Sequence, residues 1–457
     1  MKKVISLMSL IVLSINCSQA IDKKIFLVGG NLDDTYPAIY DDMANSIGFQ
    51  LHREVSCGSW NTTKCPKVAV VTSAADNTNA AESIVYPYYK KIFEDNGFVT
   101  AHINAQIDNY KTNTDINTEQ GGYNAKIIEQ ADIIFFNGGN QTYHSRTWLK
   151  DDGSYNSLMN VLAQRYDEGA LIVGTSAGMA VMGNMTFGGV DDSAKDSFGI
   201  LYFNQSQGLA QKQVKDGELD GTSFADQRTN SNPQLVEIQH QENGGKMFGL
   251  NILPYEVITD THFGDRGRLG RLISAMRDTN KHIGLGVDQD NTALLISMTN
   301  NNHFKVSAFG KNGVYMISTF DAAFEDSKSF TSAKNIRLDY LSNGDDAVFI
   351  NNDISIIPSK NKKMTIVNIK DNIYSDDILS SYGVFDIISS LVKSNLKSAI
   401  GSTKIPKEYP VNTPVFEFLF TKAAKESYCI MSNNSCLNNP GDYTIVNMRM
   451  DLIPRFN

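Results

Sequence analysis

The chain has 457 residues, 41% of them hydrophobic, and a formal net charge of −9 at pH 7. That length and apolar content provide for two domains, or one large domain with an extension, around a packed core. The acidic balance argues against nucleic acid or an anionic membrane surface as a partner.

Residues 1–20, MKKVISLMSLIVLSINCSQA, combine Lys2 and Lys3, an apolar stretch from Val4 to Ile15 and a Ser18-Gln19-Ala20 ending. This pattern predicts a secretory signal peptide cut after Ala20, and so an exported protein, periplasmic or secreted. Ile15 and Asn16 make a poor lead-in to lipid attachment at Cys17. The apolar stretch is too short to cross a bilayer, and no later window holds the roughly eighteen apolar residues a spanning helix needs. No integral membrane segment is expected in the mature chain. The remaining cysteines fall into two close pairs, Cys57 with Cys65 and Cys429 with Cys436. In an exported chain each pair predicts a local disulfide; a zinc site would want closer cysteines or a neighbouring histidine, so no metal is expected.

From Lys23 to about Ile317, short apolar strands alternate with helical stretches, the signature of an α/β fold with a mostly parallel sheet. Strands are predicted at 24–28, 67–72, 99–103, 131–136, 170–175, 256–259, 283–287 and 292–298. Helices are predicted at 37–47, 80–96, 157–168 and 266–277. The strand ends carrying Gly29-Gly30, Gly138-Gly139 and Gly174 should face one way, and ligands in such sheets sit at the carboxyl ends of the strands. Residues from about 185 to 246 are polar and without a sustained period, an insertion that reads either as a lid or as a surface excursion. Beyond Ile317 the pattern turns strand-like, interrupted by one amphipathic helix at 382–398, which predicts a β-rich accessory domain over 318–457.

Ser176 lies in Gly174-Thr175-Ser176-Ala177-Gly178, where an apolar strand gives way to a small-residue, helix-compatible run. Glycines flanking a serine at a strand-to-helix turn predict a nucleophile elbow, with the helix N–H groups aimed at a developing oxyanion. The competing reading is an ordinary tight βα turn. A second segment runs Asp260-Thr261-His262-Phe263-Gly264-Asp265-Arg266-Gly267-Arg268-Leu269-Gly270-Arg271-Leu272. It puts a histidine just past a strand end, where it can serve a serine on another strand as general base. Arg266, Arg268 and Arg271 at a helix start oppose the helix dipole, so they ask for an anionic partner such as a substrate carboxylate, unless they are simply a solvated face.

These two motifs, together with Phe136-Asn137-Gly138-Gly139-Asn140-Gln141 after a strand, resemble the cyanophycinases and related aspartyl dipeptidases. Those are serine peptidases on a class I glutamine amidotransferase-like, flavodoxin-related α/β fold. Weaker likeness lies in 25–30, 67–74 and 284–288, so the resemblance spans roughly residues 23–317. It implies Ser176 as nucleophile, His262 as general base, an oxyanion hole from the N–H groups of Gly139 and Ala177, and substrate binding by Gln141, Arg266 and Arg268 with Asp260 in support. It implies a peptide or cyanophycin-like polymer as substrate, needs no cofactor, and allows a homodimer.

The sequence departs from the family pattern in three places. Thr261 stands where the family has glutamine between the aspartate and histidine. The orienting acid is a glutamate in the family, and here Gly286-Val287-Asp288-Gln289-Asp290-Asn291 offers Gln289 or Asp290, of which Asp290 is the expected choice because it carries charge. The gap between Ser176 and His262 is long. The expected function is an exported serine peptidase cleaving aspartyl peptide or isopeptide bonds. The alternatives are a catalytically impaired binding protein and an exported hydrolase of another acyl substrate.

Overall fold

A computed structural model describes residues 22–456 except 151, 188–192, 205–234, 237–248, 301–302, 326–329, 366–371, 408, 411, 424–426 and 433–434. The expected signal peptide and most of the polar insertion lie outside the described residues. Two large sheets organise the chain. The first has nine strands, in the order Asp353–Ile357, Asp346–Ile350, His303–Gly310, Thr292–Asn300, Lys23–Val28, Leu171–Thr175, Ile133–Phe136, Lys67–Val71 and Val99–Ile103. The last five run parallel to one another, and the first four are antiparallel additions.

The parallel strands are Val/Ile/Phe-rich because both their faces are covered. Tyr40 and Met43 of helix Ala38–Ser46 and Phe93 of Tyr86–Asp95 close one face. Ile127 and Ile128 of Glu119–Gln130, with Leu158 and Leu162 of Ser157–Asp167, close the other. Thr118 and Asn156 cap these last two helices by accepting from Gly121 and Met159 N–H groups, which satisfies donors that a helix start leaves free.

The second sheet has as its main path Tyr374–Ser375, Ser398–Ser402, Val415–Lys422, Tyr443–Arg455, Ala333–Ser342, Gly313–Ser318, Ile283–Val287 and Val257–Asp260. The sequence reading placed Val257–Asp260 and Ile283–Val287 in the parallel sheet of the N-terminal half. They are parallel to each other, but they form the edge of the second sheet. Thr292–Asn300 returns to the first sheet antiparallel to Lys23–Val28. The switch happens at Asp288–Asn291, where Asp290 and Asn291 adopt left-handed backbone conformations (φ 61° and 55°) that reverse the chain within a few residues. Local sequence specifies the turn but not the sheet the next strand joins.

Residue 317 falls inside a strand of this second sheet, and the β-rich C-terminal region supplies one of that strand's two neighbours, Ala333–Ser342, the strands beyond it, and the outer edge of the first sheet. The helix expected over 382–398 is Gly383–Val392. Helices Leu269–Thr279 and Gly383–Val392 share one apolar core with this sheet. Two disulfides form as the spacing predicted, Cys57–Cys65 and Cys429–Cys436. No helix among the described residues is long and apolar enough to cross a membrane.

A chain ending at Ser318 therefore leaves Gly313–Ser318 without one of its two partner strands and the apolar face of Leu269–Thr279 partly uncovered. Thermal unfolding followed by circular dichroism is expected to show no cooperative transition for that truncation, against a sharp one for the full chain; a sharp transition in both would show that the N-terminal part folds alone.

Candidate active site

The site forms where the carboxyl ends of the parallel strands meet the edge of the second sheet. Strand Leu171–Thr175 is wholly buried and delivers Ser176 at its end with φ 50° and ψ −112°. A left-handed conformation on a non-glycine residue is strained and is sustained only by its surroundings. Here the Ser176 N–H donates to the Val28 carbonyl at 3.0 Å. The glycines on either side let backbones close in: a Cβ on Gly174 would lie 2.3 Å from the Gly178 carbonyl oxygen, and one on Gly178 would lie 2.2 Å from that of Phe136.

Strand Val257–Asp260 delivers His262, whose N–H donates to the Gly29 carbonyl at 3.0 Å. Its ring lies over Gly30, where a Cβ would stand 2.1 Å from the imidazole. His262 Nε2 is 2.9 Å from Ser176 Oγ, and His262 Nδ1 is 2.9 Å from Gln289 Oε1. A carbonyl oxygen only accepts, so Nδ1 carries the proton and Nε2 is left as the acceptor for the serine hydroxyl. This is the tautomer a general base requires.

The third position is therefore occupied by Gln289, a correction to the expectation of Asp290. Asp290 sits in the left-handed turn, and its carboxylate accepts from Asn31 Nδ2 at 2.9 Å instead. Because the partner is a neutral amide, it offsets the burial of the imidazole only in part. Burial, helped by the positive charges of Arg266 and Arg268, pushes the His262 pKa down to about 4, although Gln289 and Asp260 oppose the shift.

The Asn137–Asn140 turn lies beside the nucleophile, with Gly138 placed so that a Cβ would be 3.4 Å from Ser176 Cβ. A buried network under it was not anticipated from sequence. His144 bonds Ser73 Oγ at 2.8 Å through Nδ1 and the Asn137 carbonyl at 2.9 Å through Nε2, while Trp148 Nε1 donates to Ser73 Oγ at 2.8 Å. The Asn137 side chain accepts from Ala74 N–H, and Asn140 N–H donates to the Ala74 carbonyl. Burial drives the His144 pKa to about 4, and its two ring nitrogens are both engaged, so this histidine supports the turn.

The substrate-binding expectations separate. Helix Leu269–Thr279 starts later than predicted, so Arg266 and Arg268 lie in the turn before it. Arg268 and Arg271 are buried and share the carboxylate of Asp260: Arg268 Nη1 lies 3.0 Å from Oδ1, and Arg271 Nε lies 2.7 Å from Oδ2. Arg268 Nη1 also donates to the carbonyl and hydroxyl of Thr261, and the Arg271 guanidinium stacks on Phe187 at 4.4 Å. Phe187 is tied back by Gln141, whose Nε2 donates to the Phe187 carbonyl at 2.6 Å. Asp260, Arg268 and Arg271 thus hold the base-bearing turn, whereas Arg266 is exposed beside it. No group of His, Cys, Asp and Glu among the described residues is placed to hold a metal ion.

With a serine, a correctly oriented imidazole and a glycine-rich turn in one corner, comparison with known proteins becomes specific. Residues 66–215 match the model of Peptidase family S51. The chain is 29% identical over 170 residues to "Cyanophycinase" of Trichormus variabilis, a match covering 36% of this chain and 40% of that relative. It is 33% identical over 102 residues to "Cyanophycinase" of Synechococcus elongatus, covering 21% of this chain and 30% of that one. The matches thus span less than half the length of these relatives. Among solved structures it is similar to a peptidase from an acI-B1 Actinobacterium, at 16% identity and a TM-score of 0.40 over 65% of this chain and 91% of that one. The family model and the cyanophycinase relatives show the resemblance seen in the motifs, and they support a peptidase.

Two variants test this geometry. Asp260→Asn removes the carboxylate that two buried guanidinium groups share and is expected to lower stability by about 3–5 kcal/mol, read from the denaturation midpoint. Gln289→Glu supplies the missing anion. It favours imidazolium, so the His262 pKa rises from about 4 and the acid limb of the rate profile moves to higher pH. The rate on the plateau should increase on the order of tenfold to a hundredfold, measured as kcat/KM against pH.

Proposed function

We propose that this protein is an exported serine peptidase that hydrolyses aspartyl peptide or isopeptide bonds, releasing dipeptides from cyanophycin-like polymer or from β-aspartyl peptides. The observation that carries the reading is the continuous hydrogen-bonded chain from Ser176 Oγ through both nitrogens of His262 to Gln289 Oε1. The relatives named cyanophycinase supply the substrate class, and the two disulfides support export to an oxidising compartment. A flavodoxin-related sheet is favoured by helices on both faces of the parallel strands and by their order, 3-2-4-5-1 in chain numbering, which reverses direction between Lys67–Val71 and Ile133–Phe136 as doubly wound sheets do.

In this mechanism Ser176 Oγ attacks the scissile carbonyl while His262 Nε2 takes its proton. The proton then passes to the leaving amine, and water, deprotonated by the same nitrogen, releases the acyl group. Gln289 keeps the imidazole in the reactive tautomer without adding charge. Gly139 N–H, in the turn whose Gly138 lies beside Ser176, and Ala177 N–H, at the first residue of the helix after Ser176, supply the oxyanion hole in this reading. Arg266, exposed next to His262, is the cation best placed for a substrate carboxylate, and Gln141 shapes the same side through Phe187. Arg268 and Asp260 act on the substrate indirectly, by fixing the turn. The neutral Gln289 favours one second reading, a binding protein that retains the pocket with little turnover.

Product release by mass spectrometry, from cyanophycin and from matched α- and β-aspartyl peptides, separates these. The native protein is expected to release β-aspartyl dipeptides, with a rate constant down to about pH 5 and falling near pH 4, since the base is competent only while neutral. Ser176→Ala should abolish release. Tight binding of β-aspartyl ligands with no release from any substrate would overturn the peptidase reading in favour of the binding protein.

A further inference from the structure

The C-terminal region reaches the site through one short segment, 377–383, that enters helix Gly383–Val392. Its Leu379 carbonyl oxygen occupies the space a side chain on Gly267 would need, 1.9 Å from that Cβ position. Ser381 Oγ donates to Asp265 Oδ1 at 3.1 Å. At its end Tyr382 adopts a left-handed conformation (φ 55°) and donates its backbone N–H to the Gly264 carbonyl at 2.8 Å. The Tyr382 ring lies against Gly264, its Cδ1 3.1 Å from where a Cβ there would be. Gly264 is two residues beyond His262. The backbone of the base-bearing turn is therefore held from outside by this tyrosine.

The same side chain also reaches the other member of the pair. Asn312 Nδ2 donates to the Tyr382 hydroxyl at 3.3 Å and to the Gln289 carbonyl at 3.1 Å. Asn312 N–H donates to Thr292 Oγ1 at 3.0 Å, and Thr292 Oγ1 donates in turn to the Gln289 carbonyl at 2.9 Å. The backbone of Gln289 is thus fixed by two donors, one of which is shared with Tyr382. Between the two anchors lies Asp288, wholly buried, accepting from Gly264 N–H at 2.7 Å. Tyr382 is half-buried, its ring packed against the core of the second sheet, and its hydroxyl is engaged by Asn312.

We infer that Tyr382 is a positioning residue, through which the C-terminal region sets the separation and alignment of His262 and Gln289 by holding Gly264 with its backbone and Gln289 through Asn312. The inference rests on the peptidase reading above for its kinetic consequence, but not for its structural one. It assigns the β-rich region a function in the site: an amide has no ionic attraction to the imidazole, so the 2.9 Å contact at Nδ1 depends on geometry imposed from both sides.

The test uses the full-length mature chain and three variants. Tyr382→Phe removes only the hydroxyl, Asn312→Ala removes the bridge, and Tyr374→Phe removes an exposed hydroxyl of the same region as a control. Thermal unfolding confirms that each is folded. Kinetically, Tyr382→Phe and Asn312→Ala are expected to lower kcat by about tenfold with KM within about twofold, while Tyr374→Phe matches the native protein. Independently of turnover, the Nδ1–H proton of His262 in 15N-labelled protein should give a sharp low-field resonance in the native chain and in Tyr374→Phe, and broaden or move upfield in the other two. Native kcat and an unchanged Nδ1–H resonance in both Tyr382→Phe and Asn312→Ala would overturn the inference. Absence of turnover in the native protein would count against the peptidase reading alone, because the resonance still decides the positioning role.

Discussion

Two neighbouring carbonyls, those of Val28 and Gly29, accept from the backbone N–H groups of Ser176 and His262 respectively. The end of strand Lys23–Val28 thus acts as a ruler that fixes Ser176 and His262 one residue apart along a third element. Both residues sit in left-handed backbone conformations, φ 50° and 44°. Each such conformation costs on the order of 1–3 kcal/mol, so neither would persist in a loop free to relax. The ruler also explains the bare backbone at Gly30, because the imidazole must cross directly over it to reach Ser176. The serine belongs to the first sheet and the histidine to the edge of the second, so the Ser176–His262 hydrogen bond is at the same time a contact between sheets.

Charge is arranged to keep that contact neutral. Three arginines lie close to the base, which would strongly disfavour an imidazolium if all were uncompensated. Asp260 absorbs Arg268 and Arg271 in one buried cluster, leaving Arg266 at the surface. A carboxylate at the position of Gln289 would oppose the remaining field and burial; the amide opposes them only weakly. The outcome is a histidine that is neutral over nearly the whole pH range, correctly oriented but a weak base. In the proposed mechanism an imidazolium formed on His262 would receive less stabilisation than in a triad with an acid, which would place more of the burden on the oxyanion donors and on alignment.

Ser176 was legible in the sequence because its motif states a mechanical requirement: two glycines where backbones approach, at the junction of a buried strand and a helix. His262 was legible from its place after a strand. What sequence left undecided was whether Gln289 or Asp290 meets the imidazole, a choice of one residue made by the left-handed turn at Asp290 and Asn291, whose exit register depends on Asn31 and Asp33 across the sheet. Arg268 and Asp260 looked like substrate ligands because local spacing shows a charge but not its partner several residues away in a fold. His144 gave no signal, since a single histidine on a helix is indistinguishable from any other until Ser73 and Asn137 are brought beside it.

The strands after Ile317 were recognisable as strands, yet their role was not, because period-2 patterning reports burial and says nothing about neighbours. The observed pairing makes their position mechanically significant. Gly313–Ser318 lies between Ile283–Val287, which leads into Gln289, and Ala333–Ser342, which belongs to the C-terminal region. Any displacement of the C-terminal strands is therefore transmitted through hydrogen-bonded ladders to the residue that orients the base. The hydrogen-bonded ladders of this sheet thus tie the β-rich region to the edge that carries Gln289. The weakly bonded amide contact gains from that tie what it lacks in charge.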